Sequence, residues 1–148
     1  MGQLEQELLV FAKPFSSFLI FVQVYQKNGQ LKRILLVDNF DSFTYNLVHY
    51  LESLECQVDV RFNNEIPDRI LDNYDAVVLS PGPGLPEESG DLKVFVRDYI
   101  GKIPILGVCL GMQALALELD GELFNQDTVK HGVQETISVK KSVLFSKS

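Results

Sequence analysis

No dense cluster of lysine and arginine occurs anywhere in the 148 residues, and the net charge is −7. That balance argues against nucleic acid or an anionic membrane surface as the main partner. Cysteine is scarce: Cys56 and Cys109 stand alone and far apart. Two such thiols do not make a disulfide framework, and they point to a reducing, cytoplasmic setting. No three Cys/His ligands fall together, so no metal site is expected. Neither a helix-opening Gly-x-Gly-x-x-Gly nor a Walker pattern is present, and no cofactor is called for. Internal repeats and low-complexity tracts are absent. The apolar and aromatic stretch from Phe15 to Tyr25 is too short to span a bilayer. Glu5 and Glu7 stand where a signal peptide would be basic, and no small-residue cleavage site follows.

What is there is a globular composition, 46% hydrophobic and 22% charged, in a chain long enough for one domain with a core. Residues 1–30 read as a leader of uncertain structure. Leu4, Leu8 and Phe11 have helical spacing, which Lys13-Pro14 breaks. From about Leu31 the pattern alternates. Arg33-Ile34-Leu35-Leu36-Val37-Asp38 is nearly continuously apolar, as a buried parallel strand would be. Asp41 or Ser42 can cap the next helix, on which Phe43, Leu47, Leu51 and Leu54 share a face. Gln57 to Phe62 alternates as a second strand, and Pro67 opens a short helical turn. Ala76 to Ser80 is a third strand, Leu92 to Tyr99 a helix, Ile105 to Val108 a fourth strand and Leu110 to Leu119 another helix. Leu123-Phe124 and Thr136 to Val139 have β character. The repeated β-then-α order implies an α/β fold, an open and mostly parallel sheet with helices on both faces. One local signal competes with it. Val22 to Tyr25, Asn28-Gly29 and Leu31 to Val37 read as a β-hairpin with a type I′ turn. A strand inside a parallel sheet has both neighbours taken, so either that hairpin forms at an edge or residues 1–30 lie outside the fold.

Two motifs carry chemistry. Gly107-Val108-Cys109-Leu110-Gly111 joins an apolar strand to a helix. A nucleophile on such an elbow projects from the carboxyl end of the sheet, where open α/β folds bind ligands. The helix starting near Leu110 aims its N–H groups at the sulfur and would favour a thiolate, and the Leu110 N–H could donate to an oxyanion. The competing reading is an inert buried cysteine packed between two glycines. Ser80-Pro81-Gly82-Pro83-Gly84 also follows a strand. Its prolines fix the loop, and its glycines leave backbone N–H groups approachable by an amide or carboxylate; alone, it would read as an ordinary turn.

Together with Val37-Asp38-Asn39-Phe40-Asp41-Ser42-Phe43-Thr44-Tyr45-Asn46-Leu47, Gly111-Met112-Gln113 and His131-Gly132, these runs resemble class I glutamine amidotransferases. The resemblance is to anthranilate synthase component II and to the glutaminase subunit of aminodeoxychorismate synthase. It implies a partial amidotransferase domain over residues 31–148, with the last strands of the family sheet missing. It implies that Cys109 attacks the side-chain amide of L-glutamine to give a glutamyl thioester and ammonia. Gly84 and Leu110 would supply oxyanion N–H groups, and Gly82, Pro83, Gly84 and Gln113 would contact glutamine. Ammonia would pass to a chorismate-using synthase large subunit. The Asn39 to Thr44 loop would border the site and that partner. Asp38 and Asp41 are read as hydrogen-bonding this loop, and Phe43 and Tyr45 as core or interface aromatics. The family's general acid–base pair comes from a His-Pro-Glu run downstream of the cysteine, which this chain lacks. Its two histidines are followed by Tyr50 and Gly132. His49 reads as a surface residue and His131 as structural. Impaired turnover is therefore expected, and a fragment that only binds a partner is the alternative.

Overall fold

In a computed structural model of the chain, residues 32–124 are described. Four apolar runs become four parallel strands: β1 (Lys32–Asp38), β2 (Cys56–Phe62), β3 (Ala76–Leu79) and β4 (Ile105–Gly107). Their order is β2-β1-β3-β4. Ile34 pairs with Val58 on one side of β1 and with Ala76 on the other. Leu79 pairs with Gly107 at the carboxyl end of β3 and β4. Because β1 has both neighbours in place, the Asn28-Gly29 hairpin finds no free edge on it; residues 22–25, its other arm, lie outside the described residues.

Side-chain alternation along the strands divides the core. Ile34, Leu36, Ala76, Val78 and Leu106 face one way, against Leu47, Val48 and Leu51 of α1 (Thr44–Ser53). Leu35, Val37, Val77 and Leu79 face the other. There they meet the one-turn α2 (Ile70–Asn73), α3 (Leu92–Tyr99) and α4 (Leu110–Glu118) through Ile70, Leu92, Phe95, Val96, Leu110, Ala114 and Leu115. Strands buried on both faces must be apolar at every position, so β1 and β3 lack the polar alternation of a half-exposed strand. The α/β class, the parallel sheet and helices on both faces are as the sequence implies.

Several local expectations are corrected. The first helical residue is Thr44, and Phe43 is its flanking cap residue, 62% exposed. It is Thr44 that turns inward, where its hydroxyl donates to Asp38 Oδ1 at 2.7 Å. The buried stripe is therefore Thr44, Leu47, Val48 and Leu51, the i, i+3, i+4, i+7 set. Tyr45 is exposed as well, so neither aromatic is a core residue. Asp41 does not cap an interior helical amide; its Oδ1 accepts from the Phe43 N–H at 2.8 Å, a tight Asx turn ahead of the helix. Asp38 accepts from the Asp41 N–H at 3.2 Å, so both carboxylates do hold this loop. The short helical turn starts at Ile70, not Pro67; it forms around Ile70, which is buried. Strands three and four end at Leu79 and Gly107, one residue short of the apolar runs. Leu123 and Phe124 are exposed and not in a strand, and Thr136 to Val139 lies outside the described residues.

Thr44→Val is expected to cost about 2 kcal/mol in urea unfolding, because a buried carboxylate loses its hydroxyl donor. Thr44→Ser, which keeps the donor, should lose much less. A clear loss for Thr44→Ser beside no loss for Thr44→Val would show that packing of the methyl group matters and the hydrogen bond does not.

Candidate active site

The strand order reverses between β1 and β3: the chain leaves β1 toward β2 on one side and later places β3 on the other. Such a switch point opens a crevice at the carboxyl ends of the strands. Asn39 follows β1 there and Ser80 follows β3. The Asn39 N–H donates to Ser80 Oγ at 2.9 Å, and its Nδ2 donates to the Ser80 carbonyl at 2.8 Å. Ser80 Oγ donates in turn to the Pro81 carbonyl at 2.7 Å. The start of the Pro/Gly loop is thus fixed to Asn39, just past the neighbouring strand, by two polar contacts and braced within itself by a third.

Cys109 stands between β4 and α4 with φ 52° and ψ −108°. A side chain is rarely held there, and such strain persists only where the surroundings over-determine it. The two flanking glycines show how. A Cβ on Gly107 would lie 2.5 Å from both the Gly111 carbonyl carbon and the Met112 nitrogen. One on Gly111 would lie 2.5 Å from Leu79 Cβ and 2.6 Å from the Leu79 oxygen. The Val108 N–H also donates to Leu79 O at 3.0 Å, clamping the turn onto β3. Packing this close turns the Cys109 side chain outward, and the residue is exposed. The inert buried cysteine is Cys56, whose thiol is pushed up from its ordinary pKa by burial first and by Asp75 second.

The Pro/Gly loop meets the elbow through Gly82. A Cβ there would lie 2.6 Å from Asn39 Cβ and 2.7 Å from Leu110 Cδ2. Gly82 is therefore wedged between the β1 loop and the first residue of α4. Gly84 adopts φ 72°, which a side chain would strain. Among the described residues, nothing accepts a hydrogen bond from the backbone N–H of Gly84 or Leu110. Pro83 is exposed on this loop. Gln113 is half-buried one helical turn beyond the nucleophile candidate, its N–H donating to the Cys109 carbonyl at 3.0 Å. So Gly82, Leu110, Cys109 and Gln113 occupy one corner, with Gly84 two residues along the loop.

His49 is elsewhere. It lies on α1, which packs on the opposite sheet face from α4, and it sits 3.7 Å from Glu52 with its side chain in solvent. His131 lies outside the described residues. Among the described residues no cluster of His, Cys, Asp or Glu could hold a metal ion, and no helix is long and apolar enough to cross a membrane.

Three positions escape sequence reasoning. Asn63, just past β2, is buried, and its Nδ2 donates to Asn39 Oδ1 at 3.1 Å and to the Ser89 carbonyl at 3.2 Å. Gly90 lies against it, with φ 53° and with a Cβ position 2.7 Å from Asn63 Oδ1. Ser89 Oγ donates to the Leu85 carbonyl at 3.0 Å. Asn63-Asn64 after an apolar strand signals a turn, but nothing in the sequence shows that the first amide is buried.

The sequence matches the family model for class I glutamine amidotransferases over residues 35–148. Anthranilate synthase component 2 of Helicobacter pylori is 40% identical over 119 residues, which is 76% of this chain and 61% of that protein. The aminodeoxychorismate/anthranilate synthase component 2 of Bacillus subtilis is 40% identical over 114 residues, 76% of this chain and 59% of that protein. The chain thus spans about six-tenths of the length of these curated relatives. A crystal structure from Thermoplasma acidophilum, described as that of a GMP synthase subunit, superposes with a TM-score of 0.53 at 32% identity. It covers 62% of this chain and 47% of that one.

Proposed function

The chain belongs to the class I glutamine amidotransferases, and on that premise we propose that it is the glutaminase module of an anthranilate synthase. The observation that carries the reading is the elbow: an exposed cysteine, held at positive φ at the head of α4, with the Gly82 loop packed against Leu110. In the proposed reaction the Cys109 thiolate attacks the side-chain carbonyl carbon of glutamine. The oxyanion is met by the free N–H groups of Gly84 and Leu110. Collapse breaks the C–N bond, the nitrogen leaves as ammonia once protonated, and the glutamyl group stays on sulfur. Water then releases glutamate. Gly82, Pro83, Gly84 and Gln113 hold the substrate. Ammonia goes to a large subunit that aminates chorismate.

His49 is too far placed, across the sheet, to act as general acid or base at Cys109. Among the described residues no histidine stands at Cys109, and proton transfer to the leaving nitrogen and activation of the hydrolytic water are expected to be slow. Accordingly, a glutamine-like chloroketone should label Cys109 stoichiometrically, while ammonia release from glutamine stays weak but above that of Cys109→Ala. No labelling and no release above the Ala control would leave a non-catalytic fragment that only binds a partner. The relatives carry both anthranilate and aminodeoxychorismate names. Adding glutamine, chorismate and an anthranilate synthase large subunit separates those pathways, since anthranilate fluorescence appears only with the first.

Gly84→Val tests the loop. A branched side chain at φ 72° is strained, but the loop is exposed and its backbone is what the substrate needs. Chloroketone labelling should slow by about tenfold or more, against a stability loss of only about 1–2 kcal/mol. Labelling at the native rate would remove Gly84 from the oxyanion assignment.

A further inference from the structure

We propose that Asn63 is a positioning residue for the glutamine pocket, gripping both ends of the segment from Ser80 to Ser89 from behind the site; the inference rests on the glutaminase reading above. Asn63 is 3% exposed and lies past the outer strand β2, two strands away from the loop it would control. Its side-chain amide reaches the Ser89 end directly and the Ser80 end through Asn39. One bond goes to Asn39 Oδ1 at 3.1 Å. With that oxygen occupied, the Asn39 amide nitrogen must face Ser80, where it donates to the carbonyl. Gly82 rests on Asn39 Cβ and O, so the orientation of Asn39 sets where the Pro/Gly backbone lies. The other bond goes to the Ser89 carbonyl at 3.2 Å, and Ser89 holds Leu85 through its hydroxyl.

The backbone of Asn63 is held equally well. Its N–H donates to the Asp38 carbonyl at 3.0 Å, and its carbonyl accepts from the Asp91 N–H at 3.3 Å. The clamp is thus anchored to β1 and to the turn before α3, not to the loop it positions. No buried side-chain polar atom among the described residues is without a partner, so removing this amide leaves Asn39 Oδ1 buried and unpaired. The Asn39 amide is then free to turn over, and the loop loses the contact that sets its height above Cys109. Asn63 touches neither the sulfur nor the substrate path; its effect is on the affinity of the pocket and not on the reactivity of the thiol.

The test uses the full chain with two alkylating reagents. A chloroketone analogue of glutamine needs the pocket, and its saturation kinetics give an inhibition constant and a limiting rate. Iodoacetamide needs only the Cys109 thiol. Asn63→Ala should raise the chloroketone inhibition constant about tenfold, with the limiting rate and the iodoacetamide rate little changed, at a temperature where circular dichroism shows a folded protein. Hydrogen exchange at the Asn39 amide, which donates to Ser80 Oγ, should speed up in the same variant. If Asn63→Ala does not fold, Gly90→Ala pushes on Asn63 Oδ1 without deleting the amide and should raise the inhibition constant in the same direction. An unchanged constant in folded variants overturns the proposal. So does a parallel loss with both reagents, which would mark a purely structural residue. If the native chain itself takes iodoacetamide at Cys109 but not the chloroketone, the glutaminase reading falls and this one with it. If the native chain and the variants take the chloroketone alike, only this one falls.

Discussion

Cys109→Gly is expected to melt higher than the native chain while forming no thioester at all. The backbone at 109 has φ 52° and ψ −108°. Such a conformation costs a residue with a Cβ of order 1–3 kcal/mol, whereas glycine adopts it freely. Against that gain stands the larger unfolded-state entropy of glycine, roughly 0.5–1 kcal/mol. The net is about 1 kcal/mol in favour of the variant, or some 5 °C in Tm. Cys109→Ala separates the two contributions. It removes the sulfur but keeps the Cβ, so it should be equally dead to the chloroketone without the rise in Tm. If Cys109→Gly melted a few degrees below Cys109→Ala, the elbow would carry no strain. Stability given up at the proposed nucleophile would be the usual relation between a site and its scaffold.

Gly111→Ala should be strongly destabilising. Its Cβ would sit 2.5 Å from Leu79 Cβ and 2.6 Å from Leu79 O. Leu79 is not a flexible side-chain tip that can swing away. It is the last residue of β3, paired with Val37 on one side and Gly107 on the other. Relief requires α4 to lift off the sheet, taking Leu110, Ala114 and Leu115 out of the core. A cost of about 3 kcal/mol or more is expected, seen as a fall in Tm of roughly 10–15 °C. Chloroketone labelling should collapse with it, because the elbow and the Gly82 loop meet through Leu110. A Tm within about 2 °C of native would mean that helix and strand do not pack this closely.

The residues that made the fold legible are those whose chemistry is repetitive. Ile34 to Val37 and Ala76 to Leu79 are apolar at every position because both faces of the sheet are covered, and that needs no knowledge of neighbours. The elbow was legible for a similar reason: two glycines bracketing a cysteine between a strand and a helix have few other uses. What stayed hidden depends on partners distant in sequence. Phe43 is more apolar than Thr44, and helical spacing alone puts it inside; only the Asp38 carboxylate, six residues back, reverses the pair. Asn63 and Gly90 are ordinary turn residues until the sheet folds Asn63 against Asn39 and Gly90 against Asn63. Pro67 reads as a helix opener, yet the anchoring side chain is Ile70.

The polar contacts that shape the pocket join residues far apart along the chain. Asn39 and Ser80 are separated by 41 positions, Asn39 and Asn63 by 24, and Asn63 and Ser89 by 26. No local segment can rehearse these contacts, and each requires a loop to be closed first. The crevice is therefore a late product of folding, assembled after β1, β2 and β3 are in register, while α1 and α4 can begin from near neighbours. Pulse-labelled amide exchange during refolding would see the Asn39, Asn63 and Ser80 backbone amides protected last.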